Sequence, residues 1–312
     1  MRANPYLLYR LGARAAIALP ERAALPLARG LGVAAWAMLP RRRALVARHQ
    51  ARARGRPLIP SAADRRAARA AFASYGRYWM ESLRLAAVDP GHVDAHFSIE
   101  GRSHLEDARA TGRGAVLAIP HLGGWDVGGS WLARQGFAVS VVVEALEPPE
   151  LFEWFVALRR RFGMSVIPLG PAAGTAVLGA LRSNSMVCLL SDRDIGGAGV
   201  DVELFGERTT MPAGPATLAL RARSSLLPTA VYFDGDGHRA VVCPPLPLER
   251  RGSLRNDVTR ITQELAHAHE ELIARAPDQW HLFQPNWPSD RLRLPPSTPD
   301  GSRDRAGHGR RR

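Results

Sequence analysis

The sequence predicts an α/β protein with a mixed central β-sheet flanked by helices and with membrane-proximal helices at its N-terminus. Three observations predict this. The runs 115–119, 137–143 and 186–190 are short and apolar, the first two carrying β-branched residues, the pattern of strands buried on both faces. Stretches of helical spacing lie between them, as a layered α/β unit requires. The first 40 residues are apolar but broken by Arg10, Arg14, Pro20, Glu21, Pro26 and Arg29, so they hold no uninterrupted run of the ~20 apolar residues that cross a bilayer. Their pattern fits helices lying in a membrane interface or packed on the domain.

Composition narrows the partners. The chain has 312 residues, 46% of them hydrophobic, which is ample for a core, and its formal net charge is +13. It contains no lysine, so all 42 basic side chains are arginine, whose planar fork suits phosphate and anionic surfaces. Such a balance permits nucleic acid, an anionic leaflet or a phosphorylated substrate. With no zinc-ligand spacing, recognition helix or aromatic RNA-binding signature, no nucleic-acid partner is expected. Cys188 and Cys243 both sit in apolar runs, which argues for reduced thiols in a cytoplasmic protein; a buried disulfide is the alternative.

In chain order, helices over 1–40 place Leu31, Trp36 and Met38 toward lipid or core, with Arg41, Arg42 and Arg43 meeting headgroups. A helix over 41–54 is followed by a break at Gly55–Pro60, then Ser61 caps a helix reaching about residue 85. Its Phe72, Tyr75, Trp79 and Leu83 recur at helical spacing and read as core against the sheet. Strands follow at 97–101, 115–119, 137–143, 165–168, 186–190 and 200–205, with helices over 104–110, 125–134, 153–161 and 174–182 between them. A helix over 216–223 leads to strands 226–233 and 238–242, joined by the turn Asp234-Gly-Asp-Gly237. An amphipathic helix spans 253–275, and an aromatic segment over 277–287 folds back. His104, His267 and His269 read as solvated, and His238 as a hairpin surface residue. The expected division is interfacial helices over 1–60, an α/β domain over 61–290 and a disordered basic tail over 291–312.

The chain is organised around Gly114-Ala-Val-Leu-Ala-Ile-Pro-His-Leu-Gly-Gly-Trp-Asp126. A buried strand here ends by delivering His121 to the edge of the sheet where such folds bind ligands. Gly123 and Gly124 let the backbone approach a ligand, and Asp126 falls in the first turn of the next helix. An imidazole with a carboxylate on its other nitrogen can take a proton from a hydroxyl near neutral pH. With no Ser, Cys or Thr nucleophile in the motif, that hydroxyl belongs to a substrate. The competing reading is a surface histidine and a helix-capping aspartate. Arg159, Arg160 and Arg161 read as a phosphate clamp or as charge at a helix C-terminus. Asp192, Arg193 and Asp194 end a second strand and either converge on the same cleft or neutralise one another. Gly214 opens a helix whose free N–H groups suit an oxyanion or phosphate.

His121-Leu-Gly-Gly-Trp-Asp126 resembles the His-x4-Asp motif of the lysophospholipid and lipid A acyltransferase superfamily. Three further segments agree in order and spacing: Arg159-Arg-Arg-Phe-Gly-Met-Ser-Val-Ile-Pro168, Asp192-Arg-Asp194 leading to Glu203-Leu-Phe-Gly206, and Met211-Pro-Ala-Gly-Pro-Ala-Thr-Leu-Ala219. Pro277-Asp-Gln-Trp-His-Leu-Phe-Gln-Pro-Asn-Trp287 resembles the phosphatidylinositol mannoside branch, and the likeness covers roughly residues 1–290. Gly124 departs from it, standing where relatives often carry a larger polar residue such as Asn.

The resemblance implies an acyl-CoA-dependent O-acyltransferase acting on a mannose hydroxyl of a phosphatidylinositol mannoside or related glycolipid, with palmitoyl as the acyl group. His121 would be the general base, oriented by Asp126. Arg159 and Arg193 would meet phosphates, and among Asp192, Asp194 and Glu203 one or more would bind the acceptor sugar. Backbone N–H groups of Gly123 and Gly124, or Arg159, would receive the oxyanion. Acyl-CoA is a co-substrate, no cofactor or metal is expected, and the protein would sit peripherally on the cytoplasmic face of the plasma membrane. A lysophospholipid or lipid A-like acceptor, or a non-catalytic lipid-binding relative, are the alternatives. The absence of a Gly-x-Ser-x-Gly elbow disfavours an α/β hydrolase.

Overall fold

The computed structural model describes residues 5–144 and 148–292, so the expected tail lies outside the described residues from 293 onward. Four helices come first: α1 (Pro5–Ala18), α2 (Glu21–Met38), α3 (Pro40–Ala53) and α4 (Ala62–Arg84). The α/β unit follows as α5 (Pro90–Ala95), β1 (Phe97–Glu100), α6 (Arg102–Ala110), β2 (Ala115–Ile119), α7 (Trp125–Arg134), β3 (Val139–Val143), α8 (Pro149–Arg161), β4 (Met164–Pro168), α9 (Ala173–Arg182) and β5 (Met186–Leu190). It continues with β6 (Val200–Leu204), β7 (Glu207–Met211), α10 (Gly214–Ala222), β8 (Ser225–Asp234), β9 (Gly237–Val242), α11 (Leu254–Arg275) and the short α12 (Pro288–Leu292).

Seven strands form one mixed sheet in the order β1-β9-β8-β2-β5-β3-β4. β8, β2, β5, β3 and β4 run parallel, while β9 is antiparallel to β8 and parallel to β1. Both faces are covered, which is why the central strands are apolar throughout and do not alternate with polar residues. In β2, Val116 and Ala118 pack with Val187, Leu226 and Ile261 on one side; Ala115, Leu117 and Ile119 pack with Trp131, Leu132 and Met186 on the other.

β6 pairs with β7 in a separate antiparallel hairpin, whose second strand, Glu207-Arg-Thr-Thr-Met211, carries no apolar run to mark it in the sequence. Two expectations are corrected. Phe72 of α4 packs on Val46, Ala47 and Phe283, not on the sheet. His238 and His269 are buried: His238 meets Glu81 at 2.9 Å, and His269 Nε2 lies 2.9 Å from Ser191 Oγ. A buried imidazole needs such a partner, and both partners are remote in sequence.

α2 and α4 cross so closely that a Cβ on Gly32 would lie 2.1 Å from Phe72 O, and one on Gly76 would lie 2.2 Å from Ala28 O. Ser61 caps α4 as expected, in a reciprocal capping box with Asp64. A buried ionic cluster ties α3 to α12. Asp290 accepts from His49 at 2.9 Å and Arg52 at 3.1 Å, and Arg52 also reaches Glu207 at 2.9 Å. Among the described residues no single helix is long and apolar enough to cross a membrane. Cys188 and Cys243 are separate free thiols.

Candidate active site

β2 and β5 are neighbours in parallel register, with Ile119 opposite Leu190. The ladder continues through Ser191 N–H, which donates to Ile119 O at 2.9 Å. His121 and Asp192 each lie two residues beyond the last paired position, so the register alone sets them side by side at the carboxyl edge of the sheet. Their contact is short: His121 Nδ1 to Asp192 Oδ1 is 2.6 Å. The second carboxylate oxygen of Asp192 accepts from Trp280 Nε1 at 2.8 Å. Burial by itself would raise the Asp192 carboxyl, but the His121 ring and the Trp280 N–H overcome it and hold the group well below the usual carboxylate range. An ionised Asp192 keeps the His121 proton on Nδ1 and leaves the Nε2 lone pair free. Among the described residues no hydrogen bond engages His121 Nε2, and the side chain is 20% exposed where Asp192 is fully buried.

The expectation that Asp126 orients His121 is therefore corrected. Asp126 sits in the first turn of α7 and turns toward α4 and α8. It accepts from Tyr78 OH at 2.9 Å, Ser82 Oγ at 3.2 Å and Arg159 at 3.0 and 3.2 Å. Burial would lower the Arg159 guanidinium, but Asp126 raises it instead. Arg159 is thus consumed in an internal ion pair and is not a free phosphate clamp. The pair sets the start of α7, where the Trp125 ring stacks on Tyr78 at 4.1 Å and stands edge-on to His121 at 5.7 Å.

The other expected residues separate into distinct places. Gly123, at φ +62°, packs against β8: a Cβ there would lie 2.0 Å from Val231 O. Its N–H donates to Gln279 O at 3.0 Å and that of Gly124 to Val231 O at 2.9 Å, so neither amide is free for an oxyanion. Both oxygens of Asp194 accept loop amides, from Gly197 at 3.0 Å and Gly199 at 2.9 Å. Glu203 projects from β6 as an exposed residue, its backbone paired with Gln263. Gly214 opens α10, which returns the chain to the start of β8, so its N-terminus faces the same sheet edge as His121. Arg193 is half-buried with Glu144 at 4.0 Å, and its Nε has no partner among the described residues.

His281, Tyr78 and Ser82 complete the surroundings. They went unnoticed because their partners come from distant segments. His281 is buried among Tyr75, Tyr78 and Trp125, with Nε2 at 2.9 Å from Ser74 Oγ. Below Trp125 an apolar cavity opens between the sheet and α7, walled by Leu117, Ile119, Cys188, Gly129, Trp131 and Val231.

A histidine with its Nδ1 held by a buried carboxylate and its Nε2 accessible at the carboxyl edge of the sheet can take a proton from a hydroxyl. The chain belongs to the bacterial lipid A biosynthesis acyltransferase family, which it matches over residues 4–289. It is 42% identical over 225 residues to a phosphatidylinositol mannoside acyltransferase of Mycolicibacterium smegmatis, covering 71% of this chain and 72% of that protein. It is 41% identical over 226 residues to the phosphatidylinositol mannoside acyltransferase of Mycobacterium tuberculosis, covering 71% of this chain and 70% of the other. A lipid A biosynthesis acyltransferase of Haemophilus influenzae is 24% identical over 194 residues, 61% of this chain and 58% of that one.

Proposed function

We propose that this acyltransferase moves a long-chain acyl group, palmitoyl, from acyl-CoA to a mannose hydroxyl of a phosphatidylinositol mannoside at the cytoplasmic face of the plasma membrane. The observation that carries the chemistry is the 2.6 Å pairing of His121 Nδ1 with buried Asp192, which leaves Nε2 as the accessible base. Nε2 takes the proton of the acceptor hydroxyl as its oxygen attacks the thioester carbonyl. The tetrahedral adduct then collapses, the C–S bond breaks, and the imidazolium returns the proton to the departing sulfur. Asp192 stabilises the imidazolium without itself taking the proton. Arg193, with a buried unpaired Nε, meets an anionic oxygen of the reactants. The reaction as drawn uses no metal and no redox cofactor.

The acceptor follows the two mannoside relatives, and the membrane face follows the arginine-rich, apolar N-terminal helices within 1–60, which serve the catalytic unit over 61–290 as a docking platform. Radiolabelled transfer from acyl-CoA to mannosylated phosphatidylinositol, to a lysophospholipid and to a lipid A precursor tests both parts. His121→Ala is expected to lower kcat by about 10³-fold or more and Asp192→Asn by at least about 10²-fold. A fully active His121→Ala enzyme refutes the base; preferential transfer to a lysophospholipid refutes the acceptor alone.

A further inference from the structure

Residues 279–281 run beside the loop that carries His121. His281 N–H donates to His121 O at 2.7 Å and Gly123 N–H donates to Gln279 O at 3.0 Å, with Leu122 and Trp280 bridged antiparallel between them. From the same segment Trp280 Nε1 reaches Asp192 Oδ2 at 2.8 Å. One short stretch thus grips the histidine by its backbone and the histidine's partner by its side chain. The Trp280 ring is 1% exposed and is enclosed by Phe205, His49 and Trp287 at centroid separations of 5.7, 5.9 and 6.2 Å. His49 and Trp287 belong to the cluster that Asp290 and Arg52 hold together. An indole so confined presents its N–H in one direction only.

We propose that Trp280 is a positioning residue for acyl transfer: its N–H fixes the carboxylate plane of Asp192 and thereby the tautomer and aim of His121. The proposal rests on His121 acting as the base. A buried carboxylate that loses one of two donors becomes more basic, because the remaining proton on the His121–Asp192 pair must satisfy it alone. The pair then holds its proton to higher pH, and the free carboxylate oxygen lets the imidazole tilt.

The test replaces Trp280 by Phe and, in a second variant, by β-(3-benzothienyl)alanine, which keeps the bicyclic shape and puts sulfur where the N–H was. Expected for the isosteric variant are an unchanged KM, a kcat lowered about 10-fold at neutral pH, and an acidic limb of kcat/KM against pH moved upward by about half to one pH unit. In an Asp192→Asn background, Trp280→Phe should add no further loss of kcat, since the N–H acts only through that carboxylate. A folded isosteric variant with wild-type kcat and an unmoved pH limb overturns the proposal. Failure of the isosteric variant to fold also overturns it, because the N–H would then serve stability. If His121→Ala keeps full activity, it is the reading of the base that falls, an outcome separable from either of these; a fully active Asp192→Asn overturns the Trp280 proposal alone.

Discussion

Asp126 and Asp192 show how two aspartates near one histidine take different work. The first turn of α7 aims Asp126 at Arg159, and both side chains are nearly buried, at 12% and 14% exposure. Removing the carboxylate charge leaves a guanidinium without its counter-ion, which costs several kcal/mol at a fully buried site and less at one that water still touches. Asp126→Asn should therefore lower stability by about 2 kcal/mol in urea unfolding, with lost activity following from a displaced Trp125; a variant as stable as wild type but inactive would restore Asp126 to the chemistry. His269 and His281 define a second effect. Burial lowers the first to about 4 and the second to about 3, below the ordinary value for histidine near 6.5. The unfolded chain binds these protons below about pH 6.5 while the folded chain does not, so stability is full above that pH and falls as pH drops toward 4. At pH 5 each site should remove about 2 kcal/mol relative to neutral pH. His269→Gln, which keeps an amide for Ser191, should remove roughly half of the pH dependence seen in urea titrations; an unchanged slope would show that His269 is not the group involved.

At the scale of elements, glycine decides where two helices touch. Gly76 of α4 faces Ala28 O so closely that Gly76→Ala must push α2 away, and overpacking of this kind costs about 1–3 kcal/mol. Gly30, on the exposed side of α2 with nothing within 4 Å of its missing Cβ, should respond in the opposite sense, Gly30→Ala stabilising by up to about 1 kcal/mol. Thermal melts of the pair check the crossing; equal shifts of the same sign would refute it. These contrasts also mark what could be read from the chain. The buried strands 115–119 and 186–190 were legible because they are short unbroken apolar runs, five residues each, between polar or Gly/Pro breaks, and His121 was legible because it follows one of them. Asp192 as its partner was not, since strand order and register are tertiary facts: 71 residues separate the two, while Asp126 at a spacing of five looked nearer. The same limit hid Tyr78, Ser82 and the Glu81–His238 contact, all supplied by α4 to elements far along the sequence.

For the whole molecule, the proposed membrane contact rests on the distribution of apolar and basic residues. α1 and α2 leave Leu11, Leu31 and Met38 at 61%, 58% and 72% exposure, and Leu7, Leu27 and Leu39 are exposed with them. Arg41, Arg42 and Arg43 follow at the start of α3, all exposed, in a chain of net charge +13. Exposed large apolar side chains with a cationic run following them are what a helix pair lying in a membrane interface would present. Each arginine near an anionic leaflet contributes about 1 kcal/mol, and each leucine or methionine that enters the acyl boundary adds to it through the area it removes from water. Two contributions with different physics can be separated. Raising salt from about 0.05 to 0.5 M shortens the screening length several-fold and should release the protein from phosphatidylglycerol vesicles in part, whereas Leu31→Glu with Met38→Glu should lower binding about 10-fold or more at either salt. The same double variant should raise KM for a vesicle-borne mannoside and leave kcat within about two-fold, because neither residue approaches His121. Co-sedimentation at both salts, with activity measured on the same vesicles, decides it: binding that ignores both salt and substitution would place the membrane contact on another face of the protein, and absence of binding at low salt would refute the contact.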